Sequence, residues 1–193
     1  FIIFYFFYGY YTNENSAGAG GYNGDFKLIW DNLNLLREDI FQNIGSQLYN
    51  DSRPPTSYIF HLLFNPFTYS QEAFRLSCLF ISLLVPILLY FAVNKKFPEL
   101  EKRFSFLLAI IVTLSPYFRT TSYWALGENY GIIFLICTYL ISLNIIDKVK
   151  ESNDAKKTFL ILILCLVSSL TIYFDQKLIF IPLISLFFIF NLK

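Results

Sequence analysis

Charge is what this sequence has least of. Only 15% of its 193 residues are Asp, Glu, Lys or Arg, whereas soluble domains carry about a quarter, so the chain lacks the groups needed to clothe a water-facing surface. The formal net charge is +1, and no basic stripe interleaved with aromatic residues runs along the chain, which leaves nucleic acid without a binding surface. Methionine is absent, and the chain opens on Phe1 and closes on Lys193 just after an apolar run; it is expected to be a piece of a longer chain, truncated at both ends. Cys78, Cys137 and Cys165 lie singly inside apolar runs, a spacing that predicts small buried side chains and neither a disulfide nor a metal cluster. No ligand spacing indicates a metal or any other cofactor. The one histidine, His61 in Ile59-Phe60-His61-Leu62-Leu63, reads as a packing residue with one satisfied nitrogen before it reads as a catalytic group.

Apolar surface is abundant. Hydrophobic residues make up 55% of the chain and aromatic residues 20%, with a mean hydropathy of +0.50. Apolar runs at 74–93, 104–117, 130–146, 158–173 and 178–192 are near the length a helix needs to cross about 30 Å of hydrocarbon, the shorter ones borrowing flanking aromatic residues. Residues 1–8 are too short to cross alone and read as the end of a first span; with no small-residue cleavage site they do not read as a signal peptide. The predicted fold is an all-α integral membrane protein, one domain over 1–193. It is a multi-span helical bundle with a partial first span, a long outer loop at 9–72 and about five further spans from 73 onward.

The outer loop carries its own pattern. Phe26, Ile29, Trp30, Leu33, Leu36, Ile40, Phe41, Ile44 and Leu48 recur at spacings of three and four, with Asp31, Asn34, Arg37, Glu38 and Gln42 opposite. This predicts an amphipathic helix from 26 to about 49 lying in the membrane surface. A helix packed on a soluble core is the alternative, and little soluble chain exists to provide one. Pro54-Pro55 and Asn65-Pro66 bracket a second, short interfacial helix over 56–64.

Orientation follows from the lysines. Lys95, Lys96, Lys102 and Arg103 in one connection, and Lys148, Lys150, Lys156 and Lys157 in another, put both connections on the cytoplasmic side. Alternation then gathers Asp25, Arg53, Arg119, Glu128, Asp175 and Lys177 on the opposite, outer face, from three separate loops or helix ends. Charges near membrane depth are costly, so a shared polar cavity is expected there. Each residue also has a plainer reading. Asp25 follows glycines at 18, 20, 21 and 24, which can bend the chain to present it at the mouth of a site, but it equally suits the N-cap of the helix behind it. Asp175 and Lys177 suit an exposed hairpin tip, and Glu128 suits a cap on the helix beginning near Tyr130. Taken together, basic groups beside carboxylates suit the reaction of a lipid phosphate or pyrophosphate. Arg and Lys hold the phosphate and stabilise the charge that grows as it leaves, and a carboxylate takes the proton from an attacking hydroxyl or amine.

The order of these features resembles the GT-C superfamily of polyprenyl-phosphate-dependent glycosyltransferases, in particular the branch of protein O-mannosyltransferases and the aminoarabinose transferase of lipid A. Gly20-Gly21-Tyr22-Asn23-Gly24-Asp25 resembles the placement of the family's catalytic Asp in the first outer loop, without the Asp-Glu pair of several members. Arg53-Pro54-Pro55-Thr56-Ser57-Tyr58 is similar to its Arg and Pro element before a short helix, and Glu72-Ala73-Phe74-Arg75-Leu76-Ser77 to the lead-in of its second span. Ser115-Pro116-Tyr117-Phe118-Arg119 through Glu128-Asn129-Tyr130-Gly131 resembles the outer segment in which an Arg precedes an acid that opens the next helix. Asp175-Gln176-Lys177 followed by Pro182 stands where relatives have Lys-Gly-Pro, with Gln before the Lys and Leu after it.

The resemblance implies an inverting transfer of a sugar from a polyprenyl-phosphate donor to a lipid, glycan or protein acceptor among membrane lipids. Asp25 would serve as general base and Glu128 would position substrate, with Arg53, Arg119, Asp175 and Lys177 around the lipid phosphate. Some relatives bind a divalent metal; no spacing here indicates one. A bacterial inner membrane with the site facing the periplasm is the expected location, and the endoplasmic-reticulum lumen is the alternative. A polytopic transporter or lipid flippase fragment is the rival class, although such proteins carry polar or helix-breaking residues near mid-membrane, and these span interiors hold little beyond Ser, Thr, Cys and Pro86. A structural subunit whose long loop docks a partner is a third.

Overall fold

In the computed structural model, residues 1–15, 21–49, 51, 54–149 and 154–190 are described, and all regular structure among them is helical. The order is α1 (Ile2–Tyr11), α2 (Asp25–Glu38), α3 (Ile40–Ile44), α4 (Thr56–Phe64), α5 (Gln71–Ser82), α6 (Leu84–Lys96), α7 (Lys102–Ile110), α8 (Pro116–Tyr123), α9 (Glu128–Val149), α10 (Asp154–Phe174) and α11 (Phe180–Phe190).

Three helical stretches are long and apolar enough to cross a membrane: Gln71–Lys96, Glu128–Asp147 and Lys156–Phe174. Only 28%, 33% and 22% of their most apolar windows are buried inside the protein. The remainder turns apolar side chains outward, among them Phe80, Ile87 and Phe91 on α5 and α6, and Leu162 and Leu166 on α10. An apolar surface of this extent is not maintained against water. The first stretch comprises α5 and α6, which meet at Leu83. Pro86 has no N–H to offer the Ser82 carbonyl four residues back, which accounts for the interruption.

The run at 104–117 is not one straight span. A 3-10 turn (Ile111–Leu114) closes α7, Ser115 goes extended, its hydroxyl caps Phe118, and α8 leaves at 69° to the preceding helix. Pro116 at the first position of α8 suits a helix start and not a helix interior, so the bend falls where the sequence allows no continuous hydrogen-bond ladder. As a result 119–123, expected as outer loop, is a fully buried helical segment. Thr120, Thr121 and Ser122 bond back to the carbonyls of Pro116, Tyr117 and Phe118 at 2.6–2.9 Å, which is how a polar helix is tolerated inside. Asn129 at the start of α9 clamps it there, donating to Ser122 at 2.8 Å and Ser82 at 3.1 Å while accepting from Thr121 at 2.9 Å.

The predicted amphipathic helix differs in two ways. It breaks at Asp39, whose extended backbone ends α2 and whose carboxylate caps α3 through the Gln42 N–H at 3.0 Å; a capping Asp outcompetes helix continuation. The apolar stripe of α2 is also consumed inside the protein, whereas Phe41 and Leu48 beyond the break stay exposed. Phe26, Leu33 and Leu36 are fully buried, and Phe26 packs on Trp124 and Phe74 at ring distances of 5.6 and 6.5 Å. Each such side chain contributes about 1.5–3 kcal/mol by burial. The helix over 56–64 has the predicted bounds, with Pro55 as its N-cap.

The bundle has two distinct ends. The 22 residues of α9 span about 33 Å. At the far end Lys95 of α6 pairs with Asp147 of α9 at 2.6 Å, beside the lysine-rich connections. The near end collects the start of α9, the end of α10, the chain after α1, and α8.

Candidate functional site

At the near end, small residues let α9 approach the end of α10. A Cβ on Gly127 would stand 2.8 Å from the Phe174 carbonyl oxygen, and one on Gly131 would stand 2.9 Å from Asp175 Cβ. This closeness puts Glu128 under Lys177, with Nζ 3.3 Å from Oε1. Asp175 caps the 3-10 turn Gln176–Leu178 by accepting the Lys177 N–H at 3.0 Å. The Lys177 side chain is 71% exposed and that of Glu128 only 12%. Glu128 Oε2 is buried with no hydrogen-bond partner among the described residues. Three of the predicted site residues are therefore brought together, an exposed cation beside a largely buried carboxylate.

Arg119 is held elsewhere, by a residue the sequence reading passed over. Its Nε and one terminal nitrogen fork onto the two Glu14 carboxylate oxygens at 3.1 and 2.7 Å. The other terminal nitrogen donates to the Leu114 carbonyl at 2.8 Å, and the guanidinium lies 4.1 Å from the Tyr5 ring centroid. Tyr123 Oη and Trp124 Nε1 fix the Glu14 carbonyl at 2.6 and 3.0 Å. Gly9 is required beneath, because a Cβ there would come within 2.5 Å of Glu14 Oε2. A bidentate, buried Arg–carboxylate pair is a strong and geometrically specific contact. One signal pointed to Glu14: it is the only acid before Asp25, three residues beyond α1, just as Arg119 is the only charge between 104 and 127.

Arg75 is the third cation described at this end. Its guanidinium stacks 4.0 Å from the Trp124 ring centroid, donates to the Tyr123 carbonyl at 3.1 Å and to Asn13 Oδ1 at 2.9 Å, and faces a polar cavity of about 400 Å³ shared with Asn13, Asn15, Tyr22, Asn23 and Trp124. A lone cation inside an apolar run was the available signal for it. Asp25 opens α2 two residues beyond this cavity wall. It is the first helical residue rather than the N-cap, which is Gly24 with no side-chain cap bond, and it sits in the first turn, where the helix dipole favours an acid. Half-buried, its carboxylate has no hydrogen-bond or ion-pair partner among the described residues. Arg53 and Gly20 lie outside the described residues.

His61 belongs to the core beneath the site. Asn65 Nδ2 donates to its Nδ1 at 3.0 Å and to Ser77 at 2.7 Å, leaving Nε2–H toward Cys78 Sγ at 3.9 Å. The ring packs edge-on against Phe74 and Tyr130. Burial lowers its pKa from 6.5 to about 3. Because the folded value lies below the unfolded one, the unfolded chain binds the extra proton between these limits. Stability should be fully present above pH 6.5 and fall by about 1.4 kcal/mol per unit as pH drops from there toward 3. Denaturation midpoints measured at pH 7.5 and 4.5 are expected to separate, and His61→Gln to remove most of the separation.

Of the cysteines, Cys78 is buried, whereas Cys165 is exposed on the outward face of α10, a correction to the expectation that all three are buried. It arises because an apolar run facing outward has no core to hide in. Among the described residues, no group of three or more His, Cys, Asp or Glu side chains is gathered to hold a metal ion. Comparison with protein-family models, with curated proteins and with solved structures returns no match.

Proposed function

We propose that this chain is part of a multi-span membrane glycosyltransferase that moves a sugar from a polyprenyl-phosphate donor to an acceptor at the near end of the bundle. The carrying observation is the Lys177–Glu128 pair. An exposed ammonium paired with a mostly buried carboxylate, whose other oxygen is buried without a hydrogen-bond partner among the described residues, can turn onto a phosphate and release the Lys177-facing Glu128 oxygen to accept a substrate hydroxyl. Asp175 enters as the cap that orients Lys177. Arg119, whose donors are committed to Glu14 and Leu114, and Arg53, which lies outside the described residues, enter the phosphate set on the resemblance alone.

Asp25 is the general base in this reading. A carboxylate forked by arginine, as Glu14 is, has its lone pairs occupied and makes a poor base, whereas Asp25 has none of these claims on it. The lysine-rich far end is the cytoplasmic side, and the outer face is that of a bacterial inner membrane. Transfer from a prenyl-phosphate sugar should fall about 10²–10⁴-fold in Asp25→Asn, the range ascribed to a general base. Wild-type rates in that variant would remove Asp25 from the chemistry. A polytopic transporter is the second reading, favoured by the 69° break before a buried polar α8, since broken helices mark transport paths. Substrate movement without sugar transfer in reconstituted vesicles would select it.

A further inference from the structure

An apolar crevice of about 420 Å³ runs between α1, α6 and α7, walled by Ile3, Phe7, Ile87, Phe91 and Phe106 among others. It is open to the outside, with Ile3, Phe91 and Phe106 each more than half exposed. Toward the far end of the bundle it continues into a second hollow. Tyr90 and Phe106 line both, and Lys102 and Arg103 line the second one. Lys102 has no ion-pair partner among the described residues, and Arg103 reaches Glu101 only at 3.8 Å with its own side chain 91% exposed. Two cations therefore stand at the mouth of a groove that is otherwise without charge.

The dimensions select an occupant. Along α6 the crevice extends from Leu83 to Phe91, about 12 Å of helix, close to the roughly 15 Å of hydrocarbon in one leaflet. Lys102 lies four residues before Phe106, one turn below the crevice floor, at the depth of a headgroup when an acyl chain fills the groove. From these we infer that α1, α6 and α7 form a binding site for one anionic glycerophospholipid of the far-end leaflet, its phosphate on Lys102 and Arg103 and one acyl chain along the crevice. Charge complementarity distinguishes this occupant from a zwitterionic lipid, whose headgroup gains nothing net from two cations, and from an apolar protein segment. The inference rests on the membrane embedding proposed above and is independent of sugar transfer.

The test reconstitutes the full chain carrying Phe106→Trp, with the parent chain as fluorescence blank, into vesicles of unlabelled phosphatidylcholine with increasing brominated phosphatidylglycerol, and into the reciprocal set of brominated phosphatidylcholine with unlabelled phosphatidylglycerol. Quenching at position 106 is expected to exceed the phosphatidylglycerol fraction, with an enrichment that drops about five-fold for each cation removed in Lys102→Gln and Arg103→Gln. Quenching in simple proportion to composition overturns the site while leaving the embedding intact. Absence of quenching by either lipid shows a crevice covered by protein and overturns it too, and failure of the chain to float with vesicles overturns the embedding. Native mass spectrometry of the unsubstituted chain against Lys102→Gln/Arg103→Gln reads the same preference without the tryptophan. Equal retention of both lipids there also overturns the site.

Discussion

Replacing Arg119 by leucine is expected to lower the stability of the chain by about 3–5 kcal/mol, the cost of leaving a buried charge without its partner. The value should fall at the lower end, because the Glu14 side chain keeps 22% of its exposure and regains some hydration. Glu14→Leu alone should cost as much or more, since Arg119 is 1% exposed and is left with the Leu114 carbonyl and the ring and hydroxyl of Tyr5, none of them a counter-charge. The double variant Glu14→Leu/Arg119→Leu is expected to recover most of the loss. A buried ion pair barely offsets its own desolvation, and an apolar pair of similar volume is often no worse. The hydrogen bonds from Tyr123 and Trp124 to the Glu14 backbone survive all three changes. Chemical denaturation in detergent reads the cycle, and a double variant as unstable as the singles would mean the pair is not the unit described. Sugar transfer measured on the same set separates structure from chemistry. If Arg119 only braces Glu14, transfer returns with stability; if its charge also acts on the donor phosphate, the double variant folds and remains slow.

The bounds of α4 were legible because prolines act through covalent geometry alone: Pro54-Pro55 and Asn65-Pro66 stop a helix whatever surrounds it. Three of the five apolar runs were legible for a similar reason, hydropathy being a sum over residues; the run at 104–117 breaks at Ser115, and the run at 178–192 gives only the short α11 among the described residues. The break of the amphipathic helix at Asp39 was not. Its apolar pattern continues through Ile40, Phe41 and Ile44, and only the competition between a capping carboxylate and one more helical turn decides it. The fate of α2 shows the same limit from another side. A period of 3.6 states that one face is apolar, but not whether lipid or Phe74 and Trp124 will cover it.

At the site, sequence order grouped Glu128, Asp175 and Lys177 because they sit at helix ends that alternation brings to one side. It could not foresee that Arg119 would turn inward, since that depends on the bend at Ser115 and on Asn129 clamping α8. Glu14 carries no motif of its own, whereas the glycine-rich stretch that follows it leads directly into Asp25. A lone arginine in an apolar stretch demands a carboxylate partner, and searching for that partner first would have led to the short polar segment after α1.

Lys177→Gln is expected to slow sugar transfer roughly 10²–10³-fold, the loss typical of removing one preorganised group from developing negative charge. It should cost less stability than Arg119→Leu, because the lost ammonium is 71% exposed, although the Glu128 carboxylate, 12% exposed, is left without that partner. This is the reverse of the Arg119 pattern, in which stability moves first. The contrast follows from burial: the Arg119 fork is spent inside the fold, while the Lys177 ammonium stands outside with Glu128 as a resting partner. Lys177→Arg should retain most of the rate, since charge and reach are preserved. Asp175→Asn should have a small effect, because its amide oxygen can still cap the turn that aims Lys177. Glu128→Gln divides the remaining possibilities: if Glu128 only parks the lysine, KM falls or stays level as the ammonium is released toward the donor. If the oxygen that Lys177 vacates positions a substrate hydroxyl, kcat drops while Lys177 remains competent to bind phosphate. Transfer within a few-fold of wild type in Lys177→Gln would take the phosphate from this corner of the bundle, and with it the observation on which the transferase reading stands.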